Sequence, residues 1–115
     1  MTASLPLRPA VAAGEWLAVS GQVGIKDGAL ADGISAQSAQ GLANLRAVIE
    51  ANGATLQDVV KTNVFLVTMD DFAAMNEEYA KVFSTDFPAR SAVAVHQLPL
   101  GALFEIEAWV YRGRS

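Results

Sequence analysis

The 115-residue sequence contains no cysteine, and this absence excludes several kinds of site at once. Without thiols there can be no disulfide bond, no thiolate nucleophile and no cysteine-bound zinc or iron–sulfur centre. The chain also has a single histidine, His96, so a cluster of histidine ligands is impossible and a catalytic triad lacks support. We therefore predict no metal site, and we expect His96 to be a loop or surface residue.

Basic residues are scarce as well. Eight Lys and Arg residues stand against twelve Asp and Glu residues, which gives a net charge of −4. The basic residues are scattered from Arg8 to Arg114 and form no run. Because nucleic acids and anionic membranes attract proteins through positive charge, we predict neither of them as a partner.

Long apolar runs are also missing. No stretch approaches the roughly 18 to 20 residues that a membrane-spanning helix requires. The segment from Met1 to Gly14 carries one charge, Arg8, and lacks the basic and apolar regions of a signal peptide. These features lead us to expect a cytoplasmic protein.

Hydrophobic residues, in contrast, are abundant. They make up 52% of the chain against 17% charged residues, which is far from the composition of disordered proteins. The length fits one domain covering residues 1–115. A domain this small keeps a large surface for its volume, so we expect part of its apolar surface to meet another subunit.

Two segments have the hydrophobic period of amphipathic helices. The first, Ile34–Asn52, is followed by Gly53 at the position of a left-handed C-cap. The second opens at Thr68–Asp71, where the helix dipole favours acidic residues. The predicted apolar stripe of the first helix contains Ile34, Ala36, Ala39, Leu42, Leu45, Val48 and Ile49, opposite Gln37, Gln40, Asn44, Arg46 and Glu50, and that of the second contains Phe72, Met75, Tyr79, Val82 and Phe83.

The remaining apolar segments are short and predict strands separated by Gly- and Pro-containing turns. Two helices with one apolar face each can cover only one face of a sheet, so the expected fold is α+β in two layers. The predicted strands and hairpins are Trp16–Ser20, a hairpin or strand-flanking loop at Val23–Ala31, Val59–Val67, Ala89–Val95 and Leu103–Arg112.

The last strand has two unlike sides. A period of two places Phe104, Ile106, Ala108 and Val110 on one side, and Glu105, Glu107, Trp109 and Tyr111 on the other. If the helices cover the first side, the second exposes two carboxylates beside two large aromatic rings. Such a face is better explained by oligomerisation than by exposure to solvent.

Arg90 is the most informative charged residue, because it lies at the start of an otherwise uncharged strand. A guanidinium in such surroundings requires an anion. One interpretation is a structural ion pair with Glu105 or Glu107, which composition alone favours. The other is a bidentate grip on a ligand carboxylate. Glu105 is open to the same two interpretations, as an ion-pair partner or as a carboxyl group that handles a proton or orients a water molecule.

Several motifs together resemble the RidA (YjgF) family over about Gly14 to Arg112. The motifs occur in order and at family-like spacing, and the combination of Pro88–Ser91 with Glu105–Ala108 is specific. They are Ser20–Gln22, Val59–Thr62 followed by Val64–Phe65, Asp71–Phe72 with Asn76 and Tyr79, Phe87–Ser91, Leu98–Pro99 and Glu105–Ala108.

The resemblance implies a chorismate-mutase-like α+β fold that forms a homotrimer with clefts between subunits. It also implies cofactor-free hydrolysis of reactive enamines and imines, such as 2-aminoacrylate and 2-iminobutyrate, to 2-keto acids and ammonia. The carboxylate-binding arginine of the family falls on Arg90, and its water-orienting or proton-handling glutamate falls on Glu105. Further substrate contacts implied by the resemblance fall on Ser20, Gly21, Phe72 and Ala92, whereas Asn76 is interpreted as a structural or interface residue.

One segment departs from the family pattern. The tyrosine of a Gly-Pro-Tyr segment near the N-terminus is replaced by Leu7, which cannot donate a hydrogen bond. The departure predicts weak activity on small imines, or a preference for a bulkier, more apolar imino acid. Two other classes of function stay open: a module that binds a small carboxylate metabolite without turnover, and a chaperone-like protein that binds other proteins.

Overall fold

The computed structural model describes residues 5–113. Short 3₁₀ turns at Leu56–Asp58, Met69–Asp71 and Pro99–Gly101 link the main elements. The strands are β1 (Ala10–Ala13), β2 (Trp16–Val23), β3 (Ile25–Lys26), β4 (Ala29–Leu30), β5 (Val59–Leu66), β6 (Ala89–Ala94) and β7 (Phe104–Tyr111), and the helices are α1 (Gly33–Ala51) and α2 (Phe72–Val82).

Five of the strands form a mixed sheet in the order β1-β2-β7-β5-β6. Only β5 and β6 run parallel, and they are joined through α2, as a parallel pair requires a crossover. The strands β3 and β4 form a separate small hairpin around Asp27 and Gly28, whose positive φ angles of 54° and 82° suit a tight turn. The hairpin expected within Val23–Ala31 is therefore present.

Both helices pack on one face of the sheet, so the predicted two-layer α+β fold is confirmed. The core lies between the layers, and side chains from both helices and from β2, β5 and β7 fill it. Its larger members are Leu17, Leu42, Leu45, Ile49, Val64, Leu66, Met75, Phe104, Ile106 and Val110. Gly53, with φ of 79°, follows α1 in the left-handed conformation that the sequence predicted.

Two details differ from the sequence prediction. The edge strand β1 was not expected, because Ala-Val-Ala-Ala is too short and too uniform to show alternation, and it forms through its antiparallel pairing with β2. Gln37 was placed on the polar side of the first helix but is buried. Its amide group donates to the carbonyl of Ala31 at 3.1 Å and accepts from the amide of Leu103 at 2.8 Å, which satisfies its polar atoms in the core.

The face of the sheet opposite the helices is open and aromatic. Trp16 packs edge-on against Trp109 and Tyr111, with ring centroids 6.5 and 5.0 Å apart, and Trp109 remains 48% exposed. A groove of about 400 Å³ lies between the two tryptophan rings and Lys61. The predicted separation of the two sides of β7 is thus confirmed, while the homotrimer stays a prediction. Within residues 5–113, neither helix combines the length and the apolar character needed to cross a membrane.

Candidate functional site

Arg90 lies on the edge strand β6 and is held by side chains of α2. Its Nη1 donates a hydrogen bond to Oδ1 of Asn76 at 2.7 Å. Its guanidinium stacks over the ring of Tyr79, 4.7 Å from the centroid, and lies 5.6 Å from the centroid of Phe72. Phe72, Asn76 and Tyr79 follow the helical period, so one side of α2 presents all three to the same guanidinium.

Tyr79 is a fixed platform for this arginine. The ring is buried in the core, and its hydroxyl shares a 2.7 Å hydrogen bond with Oγ1 of Thr62 on β5. Burial raises the pKa of Tyr79, and it outweighs the hydrogen bond from Thr62 and the charge of Arg90, which both lower it. The platform is therefore neutral at physiological pH, and its face attracts the arginine through a cation–π contact.

No carboxylate of residues 5–113 forms an ion pair with Arg90, because the ion pairs in this part of the chain are Arg46–Glu50 and Lys81–Glu78. The interpretation of Arg90 as a structural partner of Glu105 or Glu107 is thus wrong within one chain. Asn76 takes one of the five N–H groups of the guanidinium, and within residues 5–113 the others have no hydrogen-bond partner, so they are available to bind an external carboxylate in two hydrogen bonds.

The guanidinium opens onto a cleft of about 320 Å³, which we call the Arg90 cleft. It is lined by Asn76, Tyr79, Ala80, Phe87, Pro88 and Arg90. Its volume is at the lower end of the range of small-molecule sites, roughly 300 to 1,000 Å³. Ala92 lies two residues along β6 from Arg90, on the same side of the strand, and packs against the core.

Glu105 is located on β7 and faces the open side of the sheet. Its carboxyl group lies directly over Gly21 of β2, so closely that a Cβ atom at this position would overlap Oε2 of Glu105. Ser20 and Gly21 occupy an irregularity in the β2–β7 pairing, between Val19 and Gln22. A residue without a side chain is thus required at Gly21 for the carboxyl group to fold across the strand.

Burial raises the pKa of Glu105, and the neighbouring charge of Glu107 raises it further. Glu107 points to the same side of β7 and accepts a 3.1 Å hydrogen bond from Asn63. A raised pKa makes the carboxyl group a stronger proton acceptor when it is ionised, which suits a group that exchanges protons.

The N-terminal segment passes beside Ser20. The hydroxyl of Ser20 donates to the carbonyl of Arg8, and its amide donates to the carbonyl of Pro9 at 2.9 Å. Leu7, which is 61% exposed, directly precedes the backbone that contacts Ser20. The structure therefore brings the departure from the family pattern close to one half of the predicted site.

Arg90 and Glu105 lie on opposite faces of the sheet. Arg90 pairs with Thr62, whose side chain faces α2, whereas Glu105 pairs with Phe65, which points the other way. Their strands are also separated by β5, a distance of about 10 Å between β6 and β7. The predicted site residues thus fall into two groups on opposite faces of one chain, which we call the arginine half-site (Phe72, Arg90 and Ala92) and the glutamate half-site (Ser20, Gly21 and Glu105).

The contacts of two residues with Arg90 were not predicted from the sequence. Asn76 was interpreted as a structural or interface residue, and the structure shows it as the hydrogen-bond partner of Arg90; Tyr79 was assigned to the apolar stripe of α2 and to a family motif, and the structure also places its ring under the guanidinium. These two residues follow Phe72 by four and seven positions along one helix, and this spacing is the signal that would have placed them on the same side of the helix as Phe72. His96 is exposed in a loop, as expected. Across residues 5–113, no three His, Asp or Glu side chains come close enough to hold a metal ion.

The chain is similar to proteins of one family along nearly its whole length. The family model described as Endoribonuclease L-PSP matches residues 1–112. A RutC family protein of Pyrococcus horikoshii is 46% identical over 110 residues, which cover 93% of this chain and 87% of that protein. A 2-iminobutanoate/2-iminopropanoate deaminase of Salmonella typhimurium is 42% identical over 104 residues, covering 86% and 81%. Among solved structures, Escherichia coli TdcF with bound serine has a TM-score of 0.91 at 32% identity, covering 98% of this chain and 91% of that chain.

Proposed function

The chain belongs to the Endoribonuclease L-PSP family, which includes the RutC and RidA proteins, and from this premise we propose that it hydrolyses 2-imino acids and their enamine tautomers to 2-keto acids and ammonia. The observation that carries the proposal is Arg90, a half-buried guanidinium that no carboxylate of residues 5–113 neutralises. A relative that is 42% identical is named as a deaminase of such imines. Every substrate of this class carries a carboxylate next to the reacting carbon.

Arg90 is the group that binds this carboxylate. Asn76 and the ring of Tyr79 hold the guanidinium in one orientation, so less side-chain freedom is lost when the substrate binds. Two parallel hydrogen bonds to the carboxylate would fix the position of the adjoining C=N carbon. Phe72 then forms an apolar wall beside the bound group.

Glu105 is the group that handles protons. As a carboxylate it accepts a proton from water while the water oxygen adds to the C=N carbon; the C=N electron pair moves to nitrogen, and the carboxyl group passes the proton to that nitrogen, which gives the neutral carbinolamine. The carboxylate then accepts the hydroxyl proton of the carbinolamine and delivers it to the amino group, so the C–N bond breaks, the carbonyl forms, ammonia leaves and Glu105 is regenerated. An enamine enters the same route once its terminal carbon is protonated. A thousandfold acceleration would require about 4 kcal/mol of barrier reduction.

A complete site requires more than one copy of the chain, because the two half-sites face away from each other. We expect a homotrimer in which Arg90 of one subunit meets Glu105 of its neighbour, and in which the open aromatic face is covered. Light scattering at micromolar concentration should give three times the chain mass of 12.1 kDa. A single chain mass would contradict both the trimer and the shared site.

Binding without turnover is the second candidate, and it is favoured by one observation. The structure of TdcF, a relative with the same fold, was determined with bound serine. A cleft that binds a small amino or keto acid could act as a metabolite sensor. The family description also names an endoribonuclease, but the net charge of −4 without a basic run gives RNA no attractive surface.

A coupled assay tests the proposal. A threonine dehydratase generates 2-iminobutyrate, and the release of the 2-keto acid is followed with and without this protein. We expect the keto acid to be released faster than by spontaneous hydrolysis, and we expect Arg90→Ala to lose this acceleration. Arg46→Ala is the control and should keep full activity, because it removes an exposed arginine whose surface ion pair with Glu50 contributes little to stability. Unchanged release, together with measurable binding of the keto acid, would favour the binding module.

A further inference from the structure

The Arg90 cleft has an apolar part that a small imine does not use. Ala80, Phe87 and Pro88 line it and carry no hydrogen-bonding side chain; we call these three residues the apolar lobe. The polar groups of the cleft are Arg90, Asn76 and the hydroxyl of Tyr79, which already bonds to Thr62. The lining therefore combines one place for a carboxylate with an apolar surface that lacks any group to recognise a polar or charged side chain.

Within a single chain this lobe is open and covered by no other side chain of residues 5–113. The side chain of Phe87 is 68% exposed although it lines a cleft, and Ala80 beside it is exposed as well. Binding at a concave apolar surface is most favourable when an apolar group of the ligand displaces the water there. The methyl or ethyl side chain of the smallest 2-imino acids would occupy little of a cleft of about 320 Å³ after Arg90 has bound the carboxylate.

We infer that the Arg90 cleft selects 2-imino acids with large apolar side chains, such as those derived from leucine, methionine or phenylalanine, and that Phe87 is a specificity-determining residue. The inference rests on the proposed hydrolysis and names the substrate class of the same site. The guanidinium binds the carboxylate, and the substrate side chain lies in the apolar lobe against the ring of Phe87.

The test compares kcat/KM for imines of different size. An amino-acid oxidase, with catalase present, generates the imines of alanine and leucine, and the release of the keto acid is followed for each. Because an extra methylene in a hydrophobic pocket changes kcat/KM by about 10-fold or more, the leucine-derived imine should react at least about tenfold faster than the alanine-derived imine.

Two variants act on the lobe, and one control lies outside it. Phe87→Ala removes the ring that lines the lobe, and Ala80→Leu fills the lobe from an exposed, helix-compatible position. Each variant should therefore lower the ratio of kcat/KM for the leucine-derived imine to kcat/KM for the alanine-derived imine about tenfold. Leu100→Ala, which removes an equally exposed apolar side chain that does not line the cleft, should leave the ratio unchanged. Circular dichroism verifies that each variant is folded.

The outcomes separate the two proposals. If no imine is hydrolysed faster than in buffer, the proposed function fails, and this inference fails with it. If the alanine-derived imine reacts as fast as the leucine-derived one, or if Phe87→Ala and Ala80→Leu leave the ratio unchanged, the hydrolase stands but the apolar lobe does not select the substrate.

Discussion

Replacement of Arg90 by alanine should abolish imine hydrolysis without unfolding the protein. The guanidinium makes one hydrogen bond, to Asn76, and no ion pair with residues 5–113, so its loss leaves a single amide oxygen that cleft water can reach. One hydrogen bond from a charged group and a partly buried stacking contact correspond to about 2 to 4 kcal/mol of stability, which is within the stability of an ordinary domain. Two charge-assisted hydrogen bonds to a substrate carboxylate correspond to about 3 kcal/mol or more, which is on the order of a 10²-fold loss in kcat/KM.

The assay measures imine hydrolysis, thermal unfolding and light scattering on the same samples. Arg90→Lys is the matched control, since it keeps the charge but cannot form the two parallel hydrogen bonds, and it should recover only part of the activity. If Arg90→Ala unfolds or dissociates the protein, and Arg90→Lys restores stability and full activity together, then Arg90 has a structural role and the reasoning is refuted.

Three further predictions concern the neighbours of the two charged groups. Asn76→Ala should raise KM about tenfold because Arg90 loses its orienting hydrogen bond, with little effect on kcat; an unchanged KM would show that stacking alone positions it. Gly21→Ala should displace the carboxyl group of Glu105 and lower kcat while the fold survives, and a fully active variant would show that this contact has no catalytic role. Since burial and the charge of Glu107 raise the pKa of Glu105 above its ordinary value of 4.5, folding favours its protonated form, and this contribution is lost as the pH rises through the folded pKa. The melting temperature of Glu105→Gln minus that of the parent should therefore increase from about pH 4 to about pH 7. A difference that stays constant would contradict the raised pKa of Glu105.

The fold could be predicted from the sequence where one physical signal dominates. The alternation in Phe104–Tyr111 placed the two sides of β7 correctly, and the helical period located both helices to within a few residues. The errors occur where side chains are small, or where a polar residue is buried because it forms hydrogen bonds that the hydrophobic pattern does not reveal. The alanines of β1 carry no periodic signal, and Gln37 is buried because its side chain bonds to the carbonyl of Ala31 and to the backbone amide of Leu103.

The candidate site could be predicted only as a set of residues. The motifs indicated Arg90 and Glu105 but not their relation, because the face to which a side chain points depends on the register of β6 with β5 and of β5 with β7. That register puts the two groups on opposite faces. It also explains why an ion pair between them, favoured by composition, does not form within one chain.

The shared site can be tested by mixing two inactive variants. Arg90→Ala and Glu105→Gln chains are coexpressed in equal amounts, and the imine hydrolysis of the mixed oligomers is compared with that of each pure variant. If Arg90 of one subunit acts with Glu105 of its neighbour, random mixing leaves about one quarter of the clefts with both intact residues, so about one quarter of the parental activity should return. If the mixed oligomers stay as inactive as the pure variants, the two residues do not act across a subunit interface, and the account of a site built from two copies is wrong.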